Sequence, residues 1–280
     1  MWLQNSESGR AWLRELPSRA ARVAQKWRLQ LEPPYPQSFV SIVFPASLSD
    51  GNPAVLKLQW PHPESEYEHE ALRLWSGHGA VTLFDFDLEE HALLLERCEP
   101  GDHLSTVHPD HVLEVLAELL PRLWVPAGPP FRTLAEECAD WRRQLPSQWE
   151  LAGRPFEPAM LDATIEAMDR LSSSPLDQVL VHQDLHGDNV LRARREPWLA
   201  IDPKPLAGER EFSLAPIIRS SEFGYSRAAV VHRLDKLSSS LRLDRERCRL
   251  WALIQTLAWA FEDSVVYDNH IEIARWLWQA

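Results

Sequence analysis

Lysine is nearly missing from this sequence. Lys26, Lys57, Lys204 and Lys236 are the four among 280 residues, against 25 arginines, so any lysine in an apolar setting is informative. Cysteine is also scarce: Cys98, Cys138 and Cys248 are odd in number, far apart and without zinc-ligand spacing. That excludes a disulfide framework and points to a reducing compartment. No run of about 18 uncharged apolar residues exists, so no membrane-spanning helix is expected. The first residues, Met1-Trp2-Leu3-Gln4-Asn5-Ser6-Glu7, lack a basic segment followed by an apolar one. No secretory signal is therefore expected, and a soluble cytoplasmic protein is the reading. Positive charge is outnumbered, 29 basic against 41 acidic residues for a net charge of −12. Phosphate backbones need clustered Lys and Arg, so nucleic acid is not an expected partner. An acidic surface permits a cationic small molecule, although acidity alone usually serves solubility.

The composition, 45% hydrophobic and 25% charged, is that of a globular protein. A chain of this length fits one two-lobed protein or two small domains. Residues 1–30 read as helical, with Pro17 expected to end one helix and Ser18 to cap a second reaching about Trp27. Residues 39–44 and 53–60 are β-rich runs around Ser49-Asp50-Gly51-Asn52, which predicts a hairpin. Residues 63–78 read as a helix with an acidic first half, suited to the positive end of the helix dipole. Residues 81–86 and 91–96 predict another strand pair. Pro100-Gly101-Asp102 breaks the pattern and is read as the boundary between lobes. Beyond it, Val112, Leu113, Leu116, Leu119 and Leu120 have helical spacing. Further helices are expected over 131–149, 158–171, 227–241 and 245–278, the last broken near 263–269. A short β-rich insert is expected over 178–201. The fold class is α+β, with an N-terminal lobe at 1–98 built on a small antiparallel sheet and a mainly helical C-terminal lobe at 99–280.

The stretch richest in chemistry is Leu180-Val181-His182-Gln183-Asp184-Leu185-His186-Gly187-Asp188-Asn189-Val190-Leu191, followed by Trp198-Leu199-Ala200-Ile201-Asp202-Pro203. Apolar strands flank a polar loop, and Asp202 lies just past the last of them. Phosphoryl transfer from ATP needs a carboxylate at the acceptor hydroxyl, oxygen ligands for magnesium and a cation for the phosphate tail. Asp184 suits the first role, and Asn189 with Asp202 suits the second, since magnesium takes few protein oxygens beside water and phosphate. Each residue alone is weak, because Asp-x-x-x-x-Asn arises often by chance. The combination with His182, Asp202 and the flanking strands carries the reading.

This segment resembles the His-x-Asp-x-x-x-x-Asn catalytic loop of kinases. Ile201-Asp202-Pro203 stands where protein kinases have Asp-Phe-Gly and more closely resembles the Ile-Asp of aminoglycoside phosphotransferases. Ala200-Ile201-Asp202-Pro203-Lys204-Pro205-Leu206-Ala207-Gly208 and Glu211-Phe212-Ser213-Leu214-Ala215-Pro216 resemble the branch of streptomycin 6-phosphotransferases and hydroxyurea phosphotransferases. Val55-Leu56-Lys57-Leu58 and Leu93-Leu94-Leu95-Glu96-Arg97 match it too, so the likeness spans about residues 38–220. The resemblance implies a bilobal protein-kinase-like fold and an ATP- and Mg2+-dependent transfer to a hydroxyl of a small molecule. An aminocyclitol such as streptomycin leads as acceptor, with hydroxyurea close behind. It further implies that Lys57 contacts the α- and β-phosphates and pairs with a glutamate of the 63–78 helix, Glu70 by choice and Glu66 as the competitor. Glu96-Arg97-Cys98 would be the strap whose backbone meets adenine, and His182 would brace the loop.

Three departures stand out. Gln183 replaces a glycine of antibiotic kinases, Ser213 stands where an aspartate often follows Phe, and residues 35–39 lack the glycines of a phosphate flap, leaving backbone or Ser38 there. His186 reads as a loop-stabilising histidine. Lys204 reads as a phosphate neutraliser or a turn cap. Glu222, Glu262 and Asp263 read as surface charges or contacts for a cationic substrate. Two other functions compete. His182-x-Asp184-x-His186-Gly187-Asp188 superficially resembles the ligand cluster of a metal-dependent hydrolase, and the whole could be a non-catalytic kinase-like binding module.

Overall fold

The structure, a computed structural model, describes residues 6–36, 40–174, 176–262 and 265–280, with the backbone alone at Asp110. Residues 1–5, Ser38 and Asp263, named above, lie outside the described residues, as do positions 37 and 39. Two compact units divide the chain: Met1–Gly101 with Arg192–Leu199, and Asp102–Leu191 with Ala200–Ala280.

The first unit opens with helix α1 (Glu7–Trp27). The Ser6 hydroxyl caps it by accepting the Gly9 amide at 3.0 Å, and Arg28 ends it in the left-handed conformation. Strands β1 (Gln30–Leu31), β2 (Ser41–Ser47), β3 (Pro53–Gln59), β4 (Leu83–Asp87) and β5 (Ala92–Glu96) form an antiparallel sheet in the order β1-β2-β3-β5-β4. The β2–β3 turn holds Gly51 at φ 83°, a conformation glycine takes without a Cβ penalty.

Alternation in β3 sorts side chains between two faces. Leu56 and Leu58 pack with Trp12, Leu16, Ala20 and Val23 of α1, each burial contributing about 1.5–3 kcal/mol. Lys57 and Gln59 point to the opposite face, where helix α2 (Glu68–Trp75) lies against them. Two expectations change here. α1 runs unbroken through Pro17, because Trp12 and Leu16 before it and Ala20 and Val23 after it share one buried face. That packing outweighs an interior proline's cost of about 3 kcal/mol. The helix expected over 63–78 is instead a tight turn, Pro63–Ser65, followed by α2 starting only at Glu68.

The second unit holds α3 (Pro109–Leu123), α4 (Leu134–Leu151), α5 (Pro158–Ser172), α6 (Ala215–Arg219), α7 (Arg227–Leu241), α8 (Arg245–Ala258) and α9 (Asp268–Trp278). Every residue of α8 from Leu250 to Leu257 is buried, so this helix is the core around which α4, α5, α6, α7 and α9 pack. Strand β6 (Val179–Val181) pairs antiparallel with β9 (Leu206–Gly208), which the sequence did not announce. Strands β7 (Val190–Arg192) and β8 (Trp198–Ala200) make a hairpin whose residues 192–199 belong to the first unit. Between α8 and α9 the strands β10 (Phe261–Glu262) and β11 (Val265–Val266) pair, so the break begins at Ala258, earlier than expected.

Candidate active site

Strand β6 delivers His182 into the core of the second unit. Its Nε2 meets the Ile201 carbonyl at 2.9 Å, and its own carbonyl accepts the Lys204 amide at 3.0 Å. The Ile201 amide donates to the Asn189 carbonyl at 3.0 Å. These three hydrogen bonds knit the 182–189 loop to the 201–204 segment. Burial pulls the His182 ring down to about 4, so it is neutral and acts as a structural strut. Gln183 and Asp202 both have positive φ, 62° and 57°. Such backbone is uncommon outside glycine and persists where surroundings enforce it. At Gln183 the enforcing contact is the side-chain amide of Gln255, wholly buried in α8, which donates to the Gln183 carbonyl at 2.9 Å.

Asp184 follows that turn. Its Oδ2 lies 3.3 Å from Lys204 Nζ, and its Oδ1 lies 3.9 Å from Arg219 Nη2 and 4.0 Å from His186 Nε2. Burial pushes its carboxyl up, but Lys204, His186, Arg219 and His182 together outweigh burial, and the net shift is downward. Asp184 is therefore an ionised carboxylate at neutral pH, faced by cations that do not grip it at short range. A carboxylate in that state orients and accepts the proton of a hydroxyl.

Asn189 is fixed by its amide nitrogen, which donates to the Asp184 carbonyl at 3.0 Å and to His186 Nε2 at 3.1 Å. Its Oδ1 is then the atom left for a cation. With the carboxylate of Asp202 on the adjoining segment, the donor set is all oxygen, which fits magnesium rather than zinc or iron.

In the first unit Lys57 is 5% exposed, and its Nζ donates to both carboxylate oxygens of Glu68, at 2.8 and 2.7 Å. Gln59 Nε2 donates to Glu68 as well. The expected pairing with Glu70 is thus corrected: Glu70 pairs with Arg73 at 3.4 Å on the exposed side, and Glu68 holds the lysine. The late helix start causes this. With α2 beginning at Glu68, position 68 faces β3 and position 70 is rotated away from it. Glu66, the competitor, lies before the helix. The Glu96 carboxylate accepts from the Thr82 amide at 2.9 Å and from Arg195 at 2.8 Å, and the Glu96 amide donates to the Thr82 carbonyl at 2.8 Å. Burial raises the Glu96 carboxyl, but Arg195 and Thr82 pull it below its ordinary value. Cys98 is half-buried, and burial pushes its thiol up to about 12, leaving it unreactive.

A family profile described as aminoglycoside/hydroxyurea antibiotic resistance kinase matches residues 26–267. The chain belongs to this family. It is 39% identical to a streptomycin 6-kinase of Streptomyces griseus, over 96% of this chain and 90% of that one. It is 39% identical to a hydroxyurea phosphotransferase of Kitasatospora aureofaciens, over 95% of this chain and 79% of that one. The choline kinase LicA of Streptococcus pneumoniae superposes with a TM-score of 0.67 at 14% identity, covering 93% of this chain and 99% of that one, and shows the kinase-like fold. As a member of the resistance kinase family, the chain is a small-molecule phosphotransferase with a hydroxyl acceptor.

Set within this kinase family, the departures acquire structural accounts. Ser213 accepts from Trp124 Nε1 at 3.0 Å and so ties α3 to the segment before α6. Loop bracing falls to Gln255, described above, and to Glu222, whose carboxylate accepts the Gly187 amide. A Cβ at Gly187 would lie 2.7 Å from the Ser105 amide nitrogen, so only glycine fits there. Glu262 bonds the Tyr267 hydroxyl instead of standing alone. The hydrolase reading loses its footing, since His182 faces a backbone carbonyl from the core. The potential metal-binding group among the described residues is His186, Asp188 and Glu222, which omits both His182 and Asp184. Sequence reasoning missed Glu68, Arg195, Gln255 and Arg219. The visible hint for Arg219 was a lone arginine closing the apolar run Leu214-Ala215-Pro216-Ile217-Ile218.

Proposed function

We propose that this kinase transfers the γ-phosphoryl group of ATP, with magnesium, to a hydroxyl of a streptomycin-like aminocyclitol or of hydroxyurea. The observation that carries the reading is the hydrogen-bonded union of the 182–189 loop with the 201–204 segment, which sets Asp184, Asn189 and Asp202 on one framework. Asp184 orients the acceptor hydroxyl and takes its proton. Asn189 and Asp202 hold magnesium, which when bound neutralises phosphate charge. Lys57, fixed by Glu68, contacts the phosphates, and the backbone of the Glu96–Cys98 strap takes the adenine. Because ATP is a cytosolic metabolite, the proposed setting is the cytoplasm; among the described residues no helix is long and apolar enough to cross a membrane. The likeness in name to streptomycin and hydroxyurea kinases supports the acceptor class.

The test is an ADP-coupled assay against streptomycin, other aminoglycosides, hydroxyurea and small sugars. ADP release dependent on streptomycin or hydroxyurea is expected. Asp184→Ala should lower it by about 10³-fold while ATP binds within about threefold of the wild type. Transfer that survives in Asp184→Ala would remove the assigned role.

A further inference from the structure

Arg219 closes α6 with a side chain that is 8% exposed, yet no carboxylate grips it at hydrogen-bond distance. Its Nη1 has no hydrogen-bond acceptor among the described residues. The guanidinium lies over the ring of Trp259, 4.4 Å from the centroid, and the Lys204 ammonium lies 4.7 Å from the same centroid. His270 Nδ1 donates to the Trp259 carbonyl at 2.9 Å and fixes the tryptophan backbone. Burial, then Arg219, pulls the His270 ring down to about 4, so it adds no charge. Burial lowers Arg219 to about 10, and it stays cationic at neutral pH.

The charges facing Asp184 are thus Lys204 and Arg219, with His186 and the neutral His182 beside them. Arg219 and Lys204 share one aromatic shelf beside the Asp184 carboxylate, and among the described residues Arg219 has no carboxylate within hydrogen-bond distance. A buried cation without a close counter-ion is costly to hold, and a ligand that brings negative charge would offset that cost. An arginine held by a ring face instead of a hydrogen-bonded fork can also slide towards such a ligand. The anion that arrives beside Asp184 in this reaction is the phosphoryl group itself.

We propose that Arg219, supported on Trp259, is a further catalytic residue that donates to a non-bridging oxygen of the phosphoryl group as it moves from ATP to the acceptor. This rests on the phosphotransferase reading above. In the step, the bond from phosphorus to the β,γ-bridging oxygen breaks and its electron pair leaves with ADP. A lone pair of the acceptor oxygen forms the new bond to phosphorus, and the hydroxyl proton passes to Asp184. Arg219 exchanges no proton; it binds the charge that spreads over the equatorial oxygens.

The test uses ADP with magnesium, with and without aluminium fluoride as the phosphoryl mimic, read by calorimetry on the full chain. Wild type should bind ADP at least about tenfold tighter with the fluoride. Arg219→Gln should bind ADP within about threefold of wild type but lose that gain, and its kcat should fall about 10²–10³-fold at little-changed KM. Arg219→Lys, which keeps the charge, should restore a large part of both and guards against a Gln variant that fails to fold. Arg219→Gln should also lower the residual turnover of Asp184→Asn; no further loss there means the arginine acts only by positioning Asp184, which overturns the proposal. Retention of the fluoride gain in Arg219→Gln, or its absence in wild type, overturns it while leaving the phosphotransferase reading intact. A wild-type chain that binds no ADP defeats both.

Discussion

Lys57 and Asp184 are the two charges on which the proposed chemistry rests, and their surroundings are opposites. Lys57 is a buried cation held at 2.7–2.8 Å by both oxygens of one carboxylate, which Gln59 also grips. Asp184 is a half-buried anion whose ion-pair partners Lys204, Arg219 and His186 stand off at 3.3–4.0 Å. The first is fixed in direction, as suits the nucleotide contact proposed for it. The second keeps capacity for an incoming hydroxyl and phosphoryl group. A tight pair costs little to maintain but cannot respond, and a loose one is costly to hold but can.

Breaking the tight pair should have the largest effect on stability. Glu68→Ala removes the carboxylate that holds Lys57 through both oxygens, with an expected loss of about 3–5 kcal/mol in a denaturant titration, alongside a raised KM for ATP. Glu70→Gln is the contrast, expected to move stability by less than about 0.5 kcal/mol. Equal effects at both positions would overturn the assignment of Glu68. On the loose side, Gln255→Leu removes the donor to the Gln183 carbonyl. It should cost about 2 kcal/mol by calorimetry and lower kcat more than it raises either KM, since the Asp184 turn relaxes. A further effect concerns pH. His270 titrates at about 4 in the folded chain against an ordinary 6.5. Its contribution is complete above 6.5 and is lost as pH falls towards 4, because the unfolded ring takes a proton that the folded ring refuses. His270→Gln should flatten stability over that window by up to about 3 kcal/mol.

What could be read in advance followed from adjacency in sequence. The 182–189 loop and the 201–204 segment lie close in sequence, so their union in one framework was legible from spacing. The expected bounds 227–241 match helix α7, which the Ser226 hydroxyl caps by accepting the Ala229 amide at 3.2 Å. Glu68 was hidden because its facing depends on where α2 starts, and the tight turn at Pro63–Ser65 moved that start by five residues. Pro17 misled because a local breaker was outweighed by a sheet more than twenty residues away. Arg219 and Gln255 come from distant helices and share no spacing with the residues they serve.

The short segment Arg192–Leu199 bears on how this enzyme could be recombined with its relatives. Arg195 reaches the carbonyls of Gly77 and Ala80 as well as the carboxylate of Glu96, so the N-terminal unit is completed by residues encoded almost a hundred positions later. A chimaera spliced once, after Gly101, would set one parent's arginine against another parent's acceptors. Gene shuffling that keeps this lineage functional therefore has to move two separate pieces together, and during synthesis the early unit waits for Arg195 to leave the ribosome before its last clasp can close.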